Sequence, residues 1–199
     1  MYISISTTLT IKKMSEKKEK QTFNTKLYEC CATDELRPVM QCIYFKDGFA
    51  YASNGIVCIK QTMSFQSVIA PENLEGRLLH RDSYKTIMGF EFAEANESGI
   101  ECFNTNGQKA FFEYFEPGVN DKIPNYEAMI NPKRGLTSLS FIGFNPGEFD
   151  RLVKALYAPA GNYRLQFTGI DSAILVDAVG IEDQWGIVMP IILNNSLFD

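Results

Sequence analysis

The sequence predicts an α+β protein built from repeated units, each of one helix plus antiparallel strands. Three observations predict it. Short β-rich runs alternate with single amphipathic helical stretches. Glycine-containing turns recur at Gly48, Gly107 and Gly169, about 60 residues apart. The composition over 199 residues is 45% hydrophobic, 13% aromatic and 22% charged. That is enough apolar material for a core, and it excludes wholesale disorder or a fibrous repeat.

In the first unit a short helix is expected over 25–32, followed by strands over 39–45, 49–53 and 56–61, with Asp47-Gly48 as a hairpin turn. Asp-Gly and Asn-Gly pairs between β-rich runs favour hairpins because two-residue type I′ turns need positive φ. The second unit opens with a helix over 81–88 that places Tyr84, Ile87 and Met88 on one face. Strands over 99–103 and 110–115 then flank Asn106-Gly107. The third unit has the clearest helix. Asn145 is placed to cap it, Pro146 to occupy its first position and Glu148 to complete a capping box. Phe149, Leu152, Val153 and Leu156 follow at i, i+3, i+4 and i+7. Strands over 163–167 and 173–177 surround Thr168-Gly169, and 186–193 supplies one more.

A unit of this kind cannot bury both of its faces alone, so the units are expected to pack side by side, sheets outward and helices together. The implied organisation is a mobile basic extension over 1–21, a two-unit domain over 22–133 and a third unit over 134–199. Pro132-Lys133-Arg134 and Gly135 mark the boundary, and Met14 is an alternative start. The last strand, 187–193, reads as an edge for pairing between subunits.

The five cysteines are Cys30, Cys31, Cys42, Cys58 and Cys102. An odd number without paired CxxC motifs suggests neither a disulfide framework nor a zinc site, but reduced, buried thiols in a cytoplasmic protein. His80 is the one histidine, which removes multi-histidine metal sites and leaves a histidine-based triad unsupported. No run approaches a membrane span, and the N-terminus has its charge after its apolar residues, the reverse of a secretory signal. There is no P-loop, dinucleotide turn or nucleophile elbow. Glu91, Glu94, Glu97 and Glu101 invite an acid–base or metal reading, but they fall between a helix and a hairpin, where solvated loop charge is the better account. Neither catalytic residues nor a cofactor are expected.

Three stretches resemble the bacterial DNA polymerase III beta subunit, or sliding clamp, family. Ile142-Gly143-Phe144-Asn145, Leu152-Val153-Lys154-Ala155-Leu156 and Ile187-Val188-Met189-Pro190-Ile191 look like the last half-domain of that clamp, which closes with a similar Val-Met-Pro. Ile123-Pro124-Asn125-Tyr126, continuing to Asn131-Pro132, is similar to the linker between its second and third domains. Residues 49–60, with Ser53-Asn54-Gly55, look like its Thr-Asp-Gly stretch, with Ser and Asn in place of Thr and Asp. The resemblance covers 24–193, about three units where a clamp protomer has six.

The resemblance implies a DNA-clamp-like fold and two surfaces rather than an active site. One is a lining of basic helices that meets duplex phosphates without reading sequence. Arg37, in Leu36-Arg37-Pro38, matches a DNA-contacting arginine, and Arg81, Lys85, Arg151 and Lys154 are further candidates. The other is a pocket for short apolar peptides of polymerases and repair factors, which carries over to Gly55, Ile56, Val57, Pro124, Met129, Val188, Met189 and Pro190. The plain alternatives are solvated helix charges for the first set and core residues for the second. The implied function is a sliding-clamp processivity factor, a homo-oligomer around double-stranded DNA; the alternatives are a clamp-fold interaction module without ring or DNA, or an accessory protein competing for clamp partners.

The chain carries −5 formally, with 19 Lys and Arg against 24 Asp and Glu. Five lysines and two glutamates lie in the first 20 residues, so the remainder is more acidic still. A domain gripping DNA on its outer surface would not have this balance, whereas a ring can face acids outward and keep a few bases inside.

Overall fold

The computed structural model describes residues 20–130, 142–169 and 172–191. Nearly all of the expected extension, the boundary over 132–135 and the end of the last expected strand lie outside those residues. In chain order the elements are β1 (Cys42–Lys46), β2 (Phe49–Ser53), β3 (Val57–Thr62), β4 (Leu78–His80), α1 (Arg81–Ile87), β5 (Phe92–Ala95), β6 (Gly99–Phe103) and β7 (Lys109–Glu113). They continue with α2 (Tyr126–Ile130), β8 (Gly143–Phe144), α3 (Pro146–Ala155), β9 (Tyr163–Gln166), β10 (Ile174–Ala178), β11 (Gln184–Val188) and β12 (Pro190–Ile191).

Local chemistry accounts for the clearest elements. β1 and β2 meet at Asp47 and Gly48, whose φ values of 52° and 77° give the type I′ turn that Asp-Gly favours. Gly107 is also left-handed at φ 89°, but it closes a longer connection, with Phe103 opposite Lys109. Gly169 is not among the left-handed glycines; the third glycine turn is instead Gly180, at φ 78°, between β10 and β11. In α3 the Asn145 side chain accepts from the Gly147 amide and Pro146 occupies the first turn. Glu148 does not reach back to complete a capping box; it turns sideways to Asn54 and Arg151. His80 caps α1, its Nδ1 accepting from the Asp82 amide at 3.3 Å.

Other expectations shift. The helix expected over 25–32 shrinks to a 3₁₀ turn at Leu27–Cys30, because no side chain caps its start and the Thr25 hydroxyl is drawn to Gln61. Pro38 opens a second 3₁₀ turn, Pro38–Gln41, which delays β1 to Cys42. Glu94 and Glu101 are not loop acids but cross-strand partners on β5 and β6, both on the exposed face.

The strands form a seven-stranded sheet in the order β4-β1-β2-β3-β11-β10-β9, a three-stranded sheet β5-β6-β7 and a small β8-β12 pair. The first and third units therefore share one sheet, joined where β3 runs antiparallel to β11, with Val57 opposite Val188 and Gln61 opposite Gln184. β11 is thus an interior strand rather than the expected edge: Gly186 and Val188 face one side, Trp185 and Ile187 the other, and both sides are covered. Buried glutamines pin this seam. Gln61 donates to Gln184 at 2.9 Å and accepts from Thr25 and Gln66, while Gln184 exchanges two bonds with the Tyr157 backbone. A one-residue slip would strand these amides without partners in the interior.

On one face of the large sheet, Ile43, Phe45, Ile59, Ile174 and Val176 pack with Leu27, with Tyr84 and Ile87 of α1, and with Leu152 and Ala155 of α3. Ala93, Ala95, Ile100 and Cys102 of the smaller sheet join the same core. Leu152 is fully buried and lies directly over Gly186, where a Cβ would come within 2.6 Å of its Cδ1. On the other face Tyr51, Cys58 and Ile187 are covered by Tyr126 and Ile130 of α2, with Met129 alongside. All five cysteines are buried. Among the described residues no helix is long and apolar enough to cross a membrane, and no group of acids, cysteines and histidine is arranged to hold a metal.

Candidate functional site

The loop between β2 and β3 is organised by its own side chains. The Ser53 hydroxyl donates to the Val57 carbonyl and accepts from the Gly55 amide, while Asn54 Oδ1 accepts from the Ile56 and Val57 amides at 2.9 Å. This turn puts Gly55 at φ +91°, where an L side chain is strained, and a Cβ there would also meet Arg37 Nη1 at 2.8 Å. The Asn54 amide donates to Glu148 at 2.7 Å, tying the loop to the start of α3.

The C-terminal strand closes against the same loop. The Met189 amide donates to the Ile56 carbonyl at 2.9 Å, extending the β3–β11 ladder past Val57 and Val188. Ile56 and Met189 remain 44% and 40% exposed. Pro190 pairs with Phe144 and is half-buried. Arg37 lies against Gly55, held by Asp34 at 2.8 Å, and its Nη1 approaches Met40 Sδ. Arg37 and Met40 also line a hollow of about 190 Å³ whose far wall includes Lys122 and Pro124. Pro124 borders a second, larger cleft of about 310 Å³ over Tyr44, Lys46 and Tyr51. Pro124 is therefore a ridge between two hollows.

Of the eight residues expected in a peptide pocket, Gly55, Ile56 and Met189 form an exposed rim, with Pro190 beside it and Pro124 across the hollow from Arg37. Val57 and Val188 are each 1% exposed and belong to the core beneath. Met129, on α2, packs against the cluster around Tyr51 and Ile187. Sequence reasoning missed Leu36, at 91% exposure, together with Met40 and Ile123 beside Pro124. The signal for Leu36 and Met40 is their closeness in sequence to Arg37.

The α2 segment is fixed by a polar latch. Glu127 accepts hydrogen bonds from Lys60 and from the Tyr51 hydroxyl, and these hold its carboxyl below the ordinary value of 4.5. The Lys60 ammonium sits 4.1 Å from the Phe49 ring centre and 5.4 Å from that of Trp185.

The other candidate surface surrounds the Leu27–Cys30 turn. Arg151 donates to the Glu29 and Cys31 carbonyls at 2.7 and 2.9 Å and pairs with Glu148 at 3.4 Å. Arg81 donates to the Ala32 carbonyl at 3.3 Å and lies 3.7 Å from Asp82. Lys154 pairs with Asp150 at 2.6 Å, and Lys85 stands 5.6 Å from the Tyr28 ring centre. Four of the five expected DNA-lining residues thus gather around one turn, while Arg37 lies at the peptide rim. Asp82, Glu148 and Asp150 stand beside three of the four.

No protein-family model matches the sequence, and no curated protein is similar to it in sequence. Its structure is similar to solved sliding clamps. The DNA polymerase sliding clamp of Pseudomonas aeruginosa superposes with a TM-score of 0.59 at 11% identity, over 84% of this chain and 63% of that one. The clamp of Bartonella birtlesii bound to griselimycin gives 0.57 at 14% identity, over 84% and 63%. The DNA polymerase III beta subunit of Borrelia burgdorferi gives 0.60 at 12% identity, over 85% and 62%. The chain has the fold of the sliding clamp in a divergent form, and it spans less than two thirds of the length of the clamps it matches.

Proposed function

We propose that the chain is a clamp-like tether that works without catalysis. A short apolar peptide of a polymerase or another clamp partner docks at the rim of Gly55, Ile56 and Met189, with Arg37, Pro124 and Pro190 around it. The observation that carries this reading is the bond from the Met189 amide to the Ile56 carbonyl, which brings the loop resembling Thr-Asp-Gly against the Met-Pro strand, with the linker proline across one hollow. Exposed Ile and Met on a rigid ladder suit an adaptable apolar groove. In its fuller form several copies encircle double-stranded DNA, with Lys85 and Lys154 toward the phosphates.

A specific observation favours the plainer alternative, an interaction module that holds peptides without DNA. Most of the candidate lining cations have an acid beside them, and the whole chain is negative. Fluorescence anisotropy with a labelled apolar pentapeptide tests the groove: Met189→Ala combined with Pro190→Ala should weaken binding about tenfold or more, the loss expected of central anchors. Unchanged binding would refute the groove. Griselimycin, which the Bartonella birtlesii clamp binds, is a second probe of it. Retention on nicked circular DNA but not on linear DNA tests encirclement, and equal retention or none leaves only the tether. Loss of DNA association in Lys85→Glu with Lys154→Glu, but not in Arg37→Glu, would assign the lining to the helix face and Arg37 to the groove.

A further inference from the structure

The two edges of the three-stranded sheet are treated differently. Along β5 the edge is closed by the chain itself. The Gln21 amide donates to the Glu91 carbonyl and the Ala93 amide to the Gln21 carbonyl, both at 2.8 Å. The Ile69 amide donates to the Ala93 carbonyl at 2.9 Å and the Ala95 amide to the Ile69 carbonyl at 3.0 Å. β7, at the opposite edge, pairs only with β6 among the described residues. An open strand edge is a row of backbone donors and acceptors that another strand can complete.

β7 reads Lys109-Ala110-Phe111-Phe112-Glu113. Ala110 and Phe112 turn toward the core, while Lys109, Phe111 and Glu113 occupy the outer face. Phe111 is 46% exposed, and its ring rests over Gly99, where a Cβ would collide with it. The ring is therefore held near the sheet surface by the bare glycine on β6. Neither Lys109 nor Glu113 has an ion-pair partner among the described residues.

We infer that the β7 edge pairs with the same edge of a second copy of this chain, antiparallel and centred on Phe111. A two-fold axis there sets Phe111 beside Phe111 of the second copy. It also sets Lys109 opposite Glu113 of the second copy and Glu113 opposite its Lys109, all on one face. The strand is thus self-complementary in charge, as an isologous interface requires, and opposite charges placed directly across strands attract where like charges repel. Of the two edges of the large sheet, β4 is partly closed by the Phe115 amide, which donates to the Leu78 carbonyl at 2.8 Å, and β9 lacks this property: its Arg164 is already bonded to Asp177 of its own sheet at 2.9 Å. Pairing at β7 makes one six-stranded sheet across two copies. A single strand pair buries less than the roughly 1,200 Å² of a standard interface, so the dimer is weak and reversible.

This pairing goes beyond the tether reading and uses none of the groove residues. Sedimentation of the full chain over a concentration series tests it, with circular dichroism to verify folding. The wild type should pass from monomer to dimer as concentration rises. Lys109→Glu and Glu113→Lys each set like charges opposite one another twice, and each should weaken the dimer about tenfold. The double variant restores opposite charges and should return to within about threefold of wild type. A wild type that stays monomeric, single reversals that dimerise normally, or a double variant that fails to recover would overturn the inference. Because Lys109→Glu leaves the rim intact, its peptide anisotropy reads the tether separately: lost groove binding there would count against that reading, and lost dimer alone would not.

Discussion

On the helix face of the large sheet, Arg81 and Arg151 are turned inward while Lys85 and Lys154 stay exposed. Arg151 and Arg81 hold the carbonyls of Glu29, Cys31 and Ala32, and Lys154 is matched by Asp150. At the rim beyond β3 and β11 the opposite holds: Ile56 and Met189 are left facing solvent although the ladder beneath them is fully paired. Charges that look available for a ligand are satisfying the fold, and apolar groups that look like core are exposed. The difference teaches that residue type alone misassigns both surfaces, because a charged head near an unsatisfied carbonyl is drawn to it before any partner arrives.

The comparison can be broken first at its hinge. Leu152 ties α3 to β11, and Leu152→Ala should lower unfolding free energy by about 3 kcal/mol in urea titrations. A loss below about 1 kcal/mol would mean that α3 does not hold the seam. Next, Arg151→Ala should cost about 2 kcal/mol, since it leaves the carbonyls of Glu29 and Cys31 without their donor, whereas Lys85→Ala should change stability by less than about 0.5 kcal/mol. Equal effects would erase the distinction between structural and available cations. At the rim, Met189→Ala should cost under about 1 kcal/mol, consistent with a side chain kept for something other than packing.

A smaller effect is expected at the latch. The Glu127 carboxyl is held below 4.5 by Lys60 and Tyr51, so its contribution to docking α2 is complete above that pH and fades as pH falls through the lowered value. Trp185, the one tryptophan, sits beside Lys60 and should report this as a fluorescence change on acidification. Glu127→Gln should remove the transition, and a transition that persists there would point to another group.

Several parts of this arrangement were legible in the sequence. β2 and β6 fall on 49–53 and 99–103 as expected, because alternation and glycine turns are local signals. Asn145 and Pro146 announced α3 through cap chemistry within a few residues. The β3–β11 seam was not legible, since the glutamines that pin it are 123 residues apart and nothing local marks them as partners. The short strands β4, β5 and β8 carry too few residues for a period to show. For the site, the resemblance named Ile56 and Met189, which lie side by side and exposed, together with Val57 and Val188, which adjoin them in the chain but are buried.

The position of β11 also sets an order of events. β1, β2 and β3 can form a meander from local contacts, and so can β9, β10 and β11. Their union requires closing a long loop before any seam contact stabilises it, and such non-local pairing slows folding. Until β11 arrives, β3, which carries Cys58, is a bare edge. Refolding should therefore be slow compared with hairpin formation and prone to aggregation at high concentration, with Trp185 fluorescence appearing last.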